Sequence, residues 1–179
     1  MDLLQKATKI AYHAHKHQKR KYFDIPFISH PLEVCKKLCV WGIKSQEILA
    51  TGILHDSIED NLDRQAEIGR DIAELGGQIY SWVTDLTIYD GVKKDDYIKT
   101  FDRKPVEVLI VKLADRVCNL SDFYTENPRG YFHKYYQKSK ILFAIYEIRK
   151  NEVCMQSGRN VLLNIDRSLL DLENLATKE

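Results

Sequence analysis

The chain has 179 residues, 44% hydrophobic and 30% charged, with a formal net charge of +1; this balance excludes a disordered polyelectrolyte and leaves apolar matter for one packed core. A charge so close to zero sets up no global field toward nucleic acid or an anionic membrane, so an anionic ligand has to be met by a local cluster of bases. The opening Met1-Asp2-Leu3-Leu4 lacks the basic then apolar run of a secretory signal, and no segment reaches the roughly 18 apolar residues of a membrane span. The composition therefore predicts a single cytoplasmic domain over residues 1–179 that meets a small molecule and neither nucleic acid nor membrane. Cys35, Cys39, Cys118 and Cys154 form no Cys-x-x-Cys pair and read as buried, reduced thiols.

Leu3, Leu4, Ala7, Ile10, Ala11 and Ala14 recur at the three- and four-residue spacing of an amphipathic helix that ends near His17. Gln18 to Ser29 carries Lys19, Arg20, Lys21, aromatics and Pro26 without periodicity, and reads as a long ordered loop of the kind that often serves function. Helices are expected over Pro31–Trp41, closed by Gly42, and over Ser45–Ser57, with Ser45 as N-cap. Asp63–Leu75, closed by Gly76, and Gln78–Leu86 follow. Gly91–Phe101 is expected to be a short helix. Pro105 opens the most apolar one, Pro105–Tyr124, and after the turn signal Asn127-Pro128-Arg129-Gly130 come Tyr131–Ile148 and a C-terminal helix, Val161–Leu175. No alternating strand pattern survives, so the fold is expected to be all-α.

His55-Asp56 ends the apolar run Ile48–Leu54, and Asp115 follows Val108–Ala114. A carboxylate so close to buried surface costs several kcal/mol unless it is paired or coordinates a cation. Lys112, three residues before Asp115, and Asn119, four after, share its helix face, as expected if that face lines a pocket; a salt bridge from a nearby Lys or Arg is the plainer reading. With His30 before Pro31, two imidazoles and two carboxylates make a donor set suited to manganese, iron or zinc. Glu59 and Asp60 lie four residues after His55 and Asp56. If the helix runs on one turn, each stands over a ligand, placed to move protons; an exposed acidic helix end fits equally well.

Four segments, in order, carry a resemblance: Ala14-His15-x-x-Gln18-x-Arg20-Lys21, Pro26-Phe27-Ile28-Ser29-His30-Pro31, Leu54-His55-Asp56-Ser57-Ile58-Glu59-Asp60 and Val111-Lys112-Leu113-Ala114-Asp115-Arg116-x-x-Asn119-Leu120. Together they resemble the HD-type hydrolase domain of RelA/SpoT enzymes, from about Leu4 to Phe143. The resemblance implies an HD phosphohydrolase bundle of about eight to ten helices around a central metal cleft. It also implies a stand-alone small alarmone hydrolase that removes the 3′-pyrophosphate of ppGpp or pppGpp with Mn2+, although another divalent transition metal would suit the donors. By motif, His30, His55, Asp56 and Asp115 match the metal ligands and Glu59 and Asp60 the catalytic acids. Arg20 and Asn119 match substrate contacts, and Lys21 and Lys112 are further candidates.

The sequence departs from the family pattern at His17, at Phe27 and in the loop over residues 22–25, all around the expected nucleotide. His13, His15 and His17 read as imidazoles favoured by a helix C-terminus rather than as a second metal site. A phosphatase acting on NADPH or another nucleotide at the same site, and a non-catalytic nucleotide sensor, are the competing readings. The sequence leaves oligomeric state open.

Overall fold

The computed structural model describes residues 1–20, 24–126 and 131–177. Among these, nine α-helices and two short 3-10 turns account for the regular structure: α1 (Leu3–His15), α2 (Ser29–Trp41), α3 (Gln46–Leu54), α4 (Gln65–Ala73), α5 (Gly77–Leu86), α6 (Lys94–Lys99), α7 (Val106–Glu126), α8 (Tyr131–Ser157) and α9 (Arg159–Ala176), with the turns at Leu62–Arg64 and Thr100–Asp102. The described residues contain no strand; Lys19 and Pro26 form an isolated antiparallel bridge that pinches the loop after α1.

The helix ends follow local chemistry. Asp2 and Gln5 form a reciprocal capping box at the start of α1, satisfying N–H groups that a helix start leaves open. Ser45 accepts from the Ile48 N–H and starts α3. Gly42 ends α2 with φ 99°, a left-handed conformation that lets its own N–H and that of Ile43 return to the Cys39 and Leu38 carbonyls.

Two apolar clusters sit back to back. One joins α2 and α7 to α8 and α9 through Leu38, Trp41, Leu109, Leu113, Tyr146 and Ile165, all fully buried. The other packs Ala7 and Ala11 of α1 against Ala50 and Leu54 of α3, with Ile68, Ile72 and Val83 beneath. Helix α3 belongs to both, and it lies so close to α2 that a Cβ on Gly52 would stand 2.7 Å from Leu38 Cδ1. As α2, α3 and α7 pack against one another pairwise, the start of α2, the end of α3 and the middle of α7 come to one place.

Several expected boundaries move. Helix α3 stops at Leu54, three residues short, because residues 55–60 close as successive turns. Helix α8 runs nine residues past Ile148 to Ser157; its exposed Ile148 and Met155 blur the amphipathic pattern by which its length is read. Helix α6 begins only at Lys94, after the turn at Gly91. Of the four thiols, which are all free, Cys118 is buried, Cys35 and Cys154 are half-buried and Cys39 is exposed, because Cys39 falls on the outer face of α2. No described helix is long and apolar enough to cross a membrane.

Candidate metal centre and cleft

His30 stands in the first turn of α2, His55 caps the end of α3, Asp56 follows it and Asp115 lies mid-way along α7. His30, His55 and Asp115 are 3%, 1% and 4% exposed. His55 Nε2 lies 3.0 Å from Asp56 Oδ2 and 3.7 Å from Asp115 Oδ1. His30 Nε2 lies 3.2 Å from Asp115 Oδ1 and 3.7 Å from Asp56 Oδ2. One donor atom from each of His30, His55 and Asp56 falls within 4.8 Å of the other two. All four residues singled out in the sequence as ligands are thus brought together.

This geometry fits a cation. His55 Nδ1 faces the Gly52 carbonyl at 2.9 Å. A carbonyl only accepts, so Nδ1 carries the hydrogen and a neutral ring turns the Nε2 lone pair toward two carboxylates. That Nε2 is buried without a hydrogen-bond partner. Donors sharing an ion at about 2.1 Å stand roughly 3–3.7 Å apart, and mixed imidazole and carboxylate donors suit borderline divalent metals.

The electrostatics point the same way. Burial opposes protonation of His55, but Asp56 and Asp115 outweigh it and push its pKa up to about 10. Burial likewise opposes ionisation of Asp115, yet the Lys112 ammonium, 2.9 Å from Oδ2, and the two imidazoles hold it well below the usual carboxylate range. Asn119 Nδ2 donates to Asp115 Oδ1 at 2.5 Å. The shared helix face of Lys112, Asp115 and Asn119 is therefore real, and Lys112 makes the plain salt bridge. Its ammonium is engaged by Asp115 even though it lines the cleft.

Glu59 and Asp60 reach the cleft from turns, not from a continued helix. Asp60 N–H donates to the Asp56 carbonyl at 3.0 Å, while one Glu59 oxygen accepts from the Ile88 N–H at 2.9 Å. Desolvation raises the Glu59 pKa. Asp60 is exposed by area, but it opens onto the cleft; desolvation there, then the Asp56 and Glu59 charges, push it up to about 7.

The cleft holds about 470 Å³, room for a nucleotide-sized ligand. Arg20 lines it, but its guanidinium, 8% exposed, is bound to Glu33 at 2.8 Å and to Asp122. Lys21 lies outside the described residues. The lining also includes bases that the sequence did not mark, Lys94, Arg116, Lys134 and Lys138, together with Phe123, Tyr131 and Tyr135 and the acids Asp95 and Asp122. Arg116, next to Asp115 in the sequence, stacks 4.6 Å over Tyr135 and donates to Ser139. Lys94, Lys134 and Lys138 come from α6 and α8, where no local pattern marks them.

The three histidines of α1 and its exit behave differently from one another. His13 and His17 are exposed, whereas His15 is fully buried, and burial lowers its pKa. The reading of all three as imidazoles favoured by a helix C-terminus does not extend to His15, where desolvation disfavours the charged ring more than the Gln18 hydrogen bond and the Asp56 charge favour it. Among the described residues, neither group able to hold a metal includes His13, His15 or His17.

The HD-domain family profile matches residues 7–146. The chain belongs to the HD-domain family. This HD domain is 33% identical over 131 residues to a GTP pyrophosphokinase of Streptomyces antibioticus, covering 65% of the chain and 14% of that protein. It is 36% identical over 125 residues to the GTP pyrophosphokinase rsh of Brucella melitensis biotype 1, covering 66% of the chain and 16% of that protein. The chain thus spans about one-sixth or less of the relatives it matches. A solved structure described as a metazoan orthologue of SpoT that hydrolyses ppGpp and plays a role in starvation responses superposes with a TM-score of 0.75 at 21% identity, over 96% of each chain. At that identity the likeness concerns the fold, and it agrees with the all-helical HD architecture expected from the sequence.

Proposed function

We propose that this HD domain is a divalent-metal-dependent, Mn2+-using hydrolase that removes the 3′-pyrophosphate of ppGpp or pppGpp, giving GDP or GTP and pyrophosphate. The observation that carries the reading is the convergence of buried His30, His55 and Asp115 with half-buried Asp56 at a cleft whose lining also carries four bases and several aromatic rings. The solved structure described as a ppGpp hydrolase and relatives named as GTP pyrophosphokinases supply the guanine nucleotide.

The four residues would hold the ion. Bound there, a divalent cation supplies polarisation of phosphoryl oxygens and a lowered pKa for water. The remaining work falls to the chain itself. Asp60, whose pKa lies near neutrality, takes a proton from the attacking water and returns one to the 3′ oxygen as its bond to phosphorus breaks. Glu59, held by the Ile88 N–H, stands beside it as a second carboxylate. Lys112 keeps Asp115 ionised. Lys94, Arg116, Lys134 and Lys138 offset substrate charge, and Asn119 and Arg20 complete the nucleotide's surroundings, with Lys21 as a further contact.

The test is incubation of the purified chain and Mn2+ with ppGpp, NADPH and plain nucleotides in parallel, following pyrophosphate and orthophosphate. Pyrophosphate released from ppGpp is the expected result. Phosphate from NADPH alone would transfer the site to that substrate, and binding of ppGpp without turnover would indicate a sensor.

A further inference from the structure

Gln18 lies in the segment Ala14-His15-x-x-Gln18-x-Arg20-Lys21, outside both the candidate ligand set and the cleft lining. Its side chain bridges two parts of the fold. Gln18 Oε1 lies 2.6 Å from Nδ1 of the fully buried His15. Its amide nitrogen donates to the Asp60 carbonyl at 3.0 Å and to Asn61 Oδ1 at 3.4 Å. Asn61, 7% exposed, in turn donates from Nδ2 to the Ser57 carbonyl at 3.0 Å.

Main-chain carbonyls dictate the direction of this chain, because they only accept. The nitrogen of Gln18 must face Asp60, so its oxygen faces His15, whose Nδ1 therefore carries the hydrogen. The nitrogen of Asn61 must face Ser57, so its oxygen faces Gln18. No amide can be turned over without setting acceptor against acceptor. The clamp falls where helical bonding stops: residues 55–60 are turns and Asn61 has φ −140° and ψ 58°. Asp60 is consequently held at its N–H by the Asp56 carbonyl and at its own carbonyl by Gln18. The backbone carbonyl of Gln18 also accepts from Phe27 N–H at 3.0 Å, and the Phe27 ring, a cleft wall, packs 4.8 Å from His15. One residue thus ties the loop carrying Arg20 to the turn carrying Asp60.

We propose that Gln18 is a positioning residue that holds the main chain of Asp60, and so aims its carboxyl into the cleft, with buried His15 fixing the amide's orientation; this rests on the proton-transfer role proposed for Asp60. A displacement of about 1 Å in a reacting group can cost a hundredfold in rate, so a clamp on the peptide that bears it is expected to register in turnover and not in metal loading.

The experiment measures ppGpp hydrolysis by the full chain with Mn2+ for Gln18→Ala, Gln18→Glu, Asp60→Asn and the double variant Gln18→Ala/Asp60→Asn. Gln18→Glu is nearly isosteric and keeps the acceptor for His15 while placing an oxygen against the Asp60 carbonyl, so it remains informative if the alanine variant fails to fold. Both Gln18 variants are expected to lose about ten- to hundredfold in kcat, with KM within about twofold and native Mn2+ content. Against Asp60→Asn, the alanine change is expected to add under about twofold, since residues acting through one another are non-additive. Full additivity, as for a merely stabilising residue, or native kcat in Gln18→Glu would overturn the proposal. Amide hydrogen exchange of the metal-free protein supplies a readout without substrate: Gln18→Glu should speed exchange at residues 57–61, and unchanged protection there overturns the clamp. If the unmodified chain leaves ppGpp intact, or Asp60→Asn turns over normally, the functional reading fails while the exchange arm still decides the clamp.

Discussion

His55 gives its Nδ1 hydrogen to the carbonyl of Gly52, 2.9 Å away, and Gly52 is a residue at which α3 presses so close to α2 that a Cβ would meet Leu38. The close packing of two helices and the tautomer of the buried imidazole are therefore set together. The lone pair left on Nε2 requires a positive partner between Asp56 and Asp115.

Without an ion, a proton on His55 meets that need. Its folded pKa is raised from 6.5 to about 10, so this contribution is complete below about pH 6.5 and is lost as pH rises through about 10. Thermal unfolding of the metal-free protein should fall across that window, and Mn2+ should flatten the slope. At free Mn2+ near 100 times Kd the gain is about 2.7 kcal/mol, several degrees in Tm at roughly 2–4 °C per kcal/mol. Asp56→Ala should abolish both the shift and turnover. An undiminished Mn2+ shift in that variant would place the metal elsewhere.

Glu59 and Asp60 should separate from metal binding. Each amide variant is expected to keep Mn2+ and to lose roughly 10²–10⁴-fold in rate, Asp60→Asn also losing the inflection near pH 7 in the rate profile. Asp60 has a folded pKa raised from 3.8 to about 7, so its contribution is present below about pH 4 and lost as pH rises through 7. Metal-free Asp60→Asn should then be more stable than the parent at pH 8, the gap closing by pH 4. Urea titrations at both pH values decide this, and an equal gap at both would mean that the carboxyl is not perturbed.

Lys112 is tied to Asp115 at 2.9 Å, both buried. Lys112→Met removes the ammonium that contributes most to holding Asp115 ionised, leaving the imidazoles and Asn119; loss of one member of a buried pair costs about 3–5 kcal/mol, and these remaining partners set the loss at the lower end. Since the Asp115 pKa is depressed, the stability it carries is present above its ordinary value and lost as pH falls below it. The variant should therefore lose stability at pH 7 and show a weaker acid-induced loss, with Mn2+ restoring part of the deficit. Native stability at pH 7 would show that the imidazoles alone hold the carboxylate.

The helical character of the chain and the membership of its four ligand candidates were legible in the sequence because they depend on local rules. Ser45, Gly42 and Pro105 mark helix ends through groups within a few residues, and acids closing apolar runs, as Asp56 and Asp115 do, announce a burial that demands a partner. The placement of Glu59 and Asp60 was legible only in part: their spacing from His55 and Asp56 pointed to the cleft, but a regular turn of helix was the wrong scaffold. What holds them are the Ile88 N–H and the Gln18 amide, 29 and 42 residues away in sequence. Tertiary packing alone decided the engagement of Arg20 by Glu33 and Asp122, the burial that lowers the pKa of His15, and the recruitment of Lys94, Lys134 and Lys138 from α6 and α8 to the cleft lining. The physical reason is range: caps and helix periodicity act over three or four residues, whereas desolvation and charge pairing depend on which helices the two apolar clusters bring side by side.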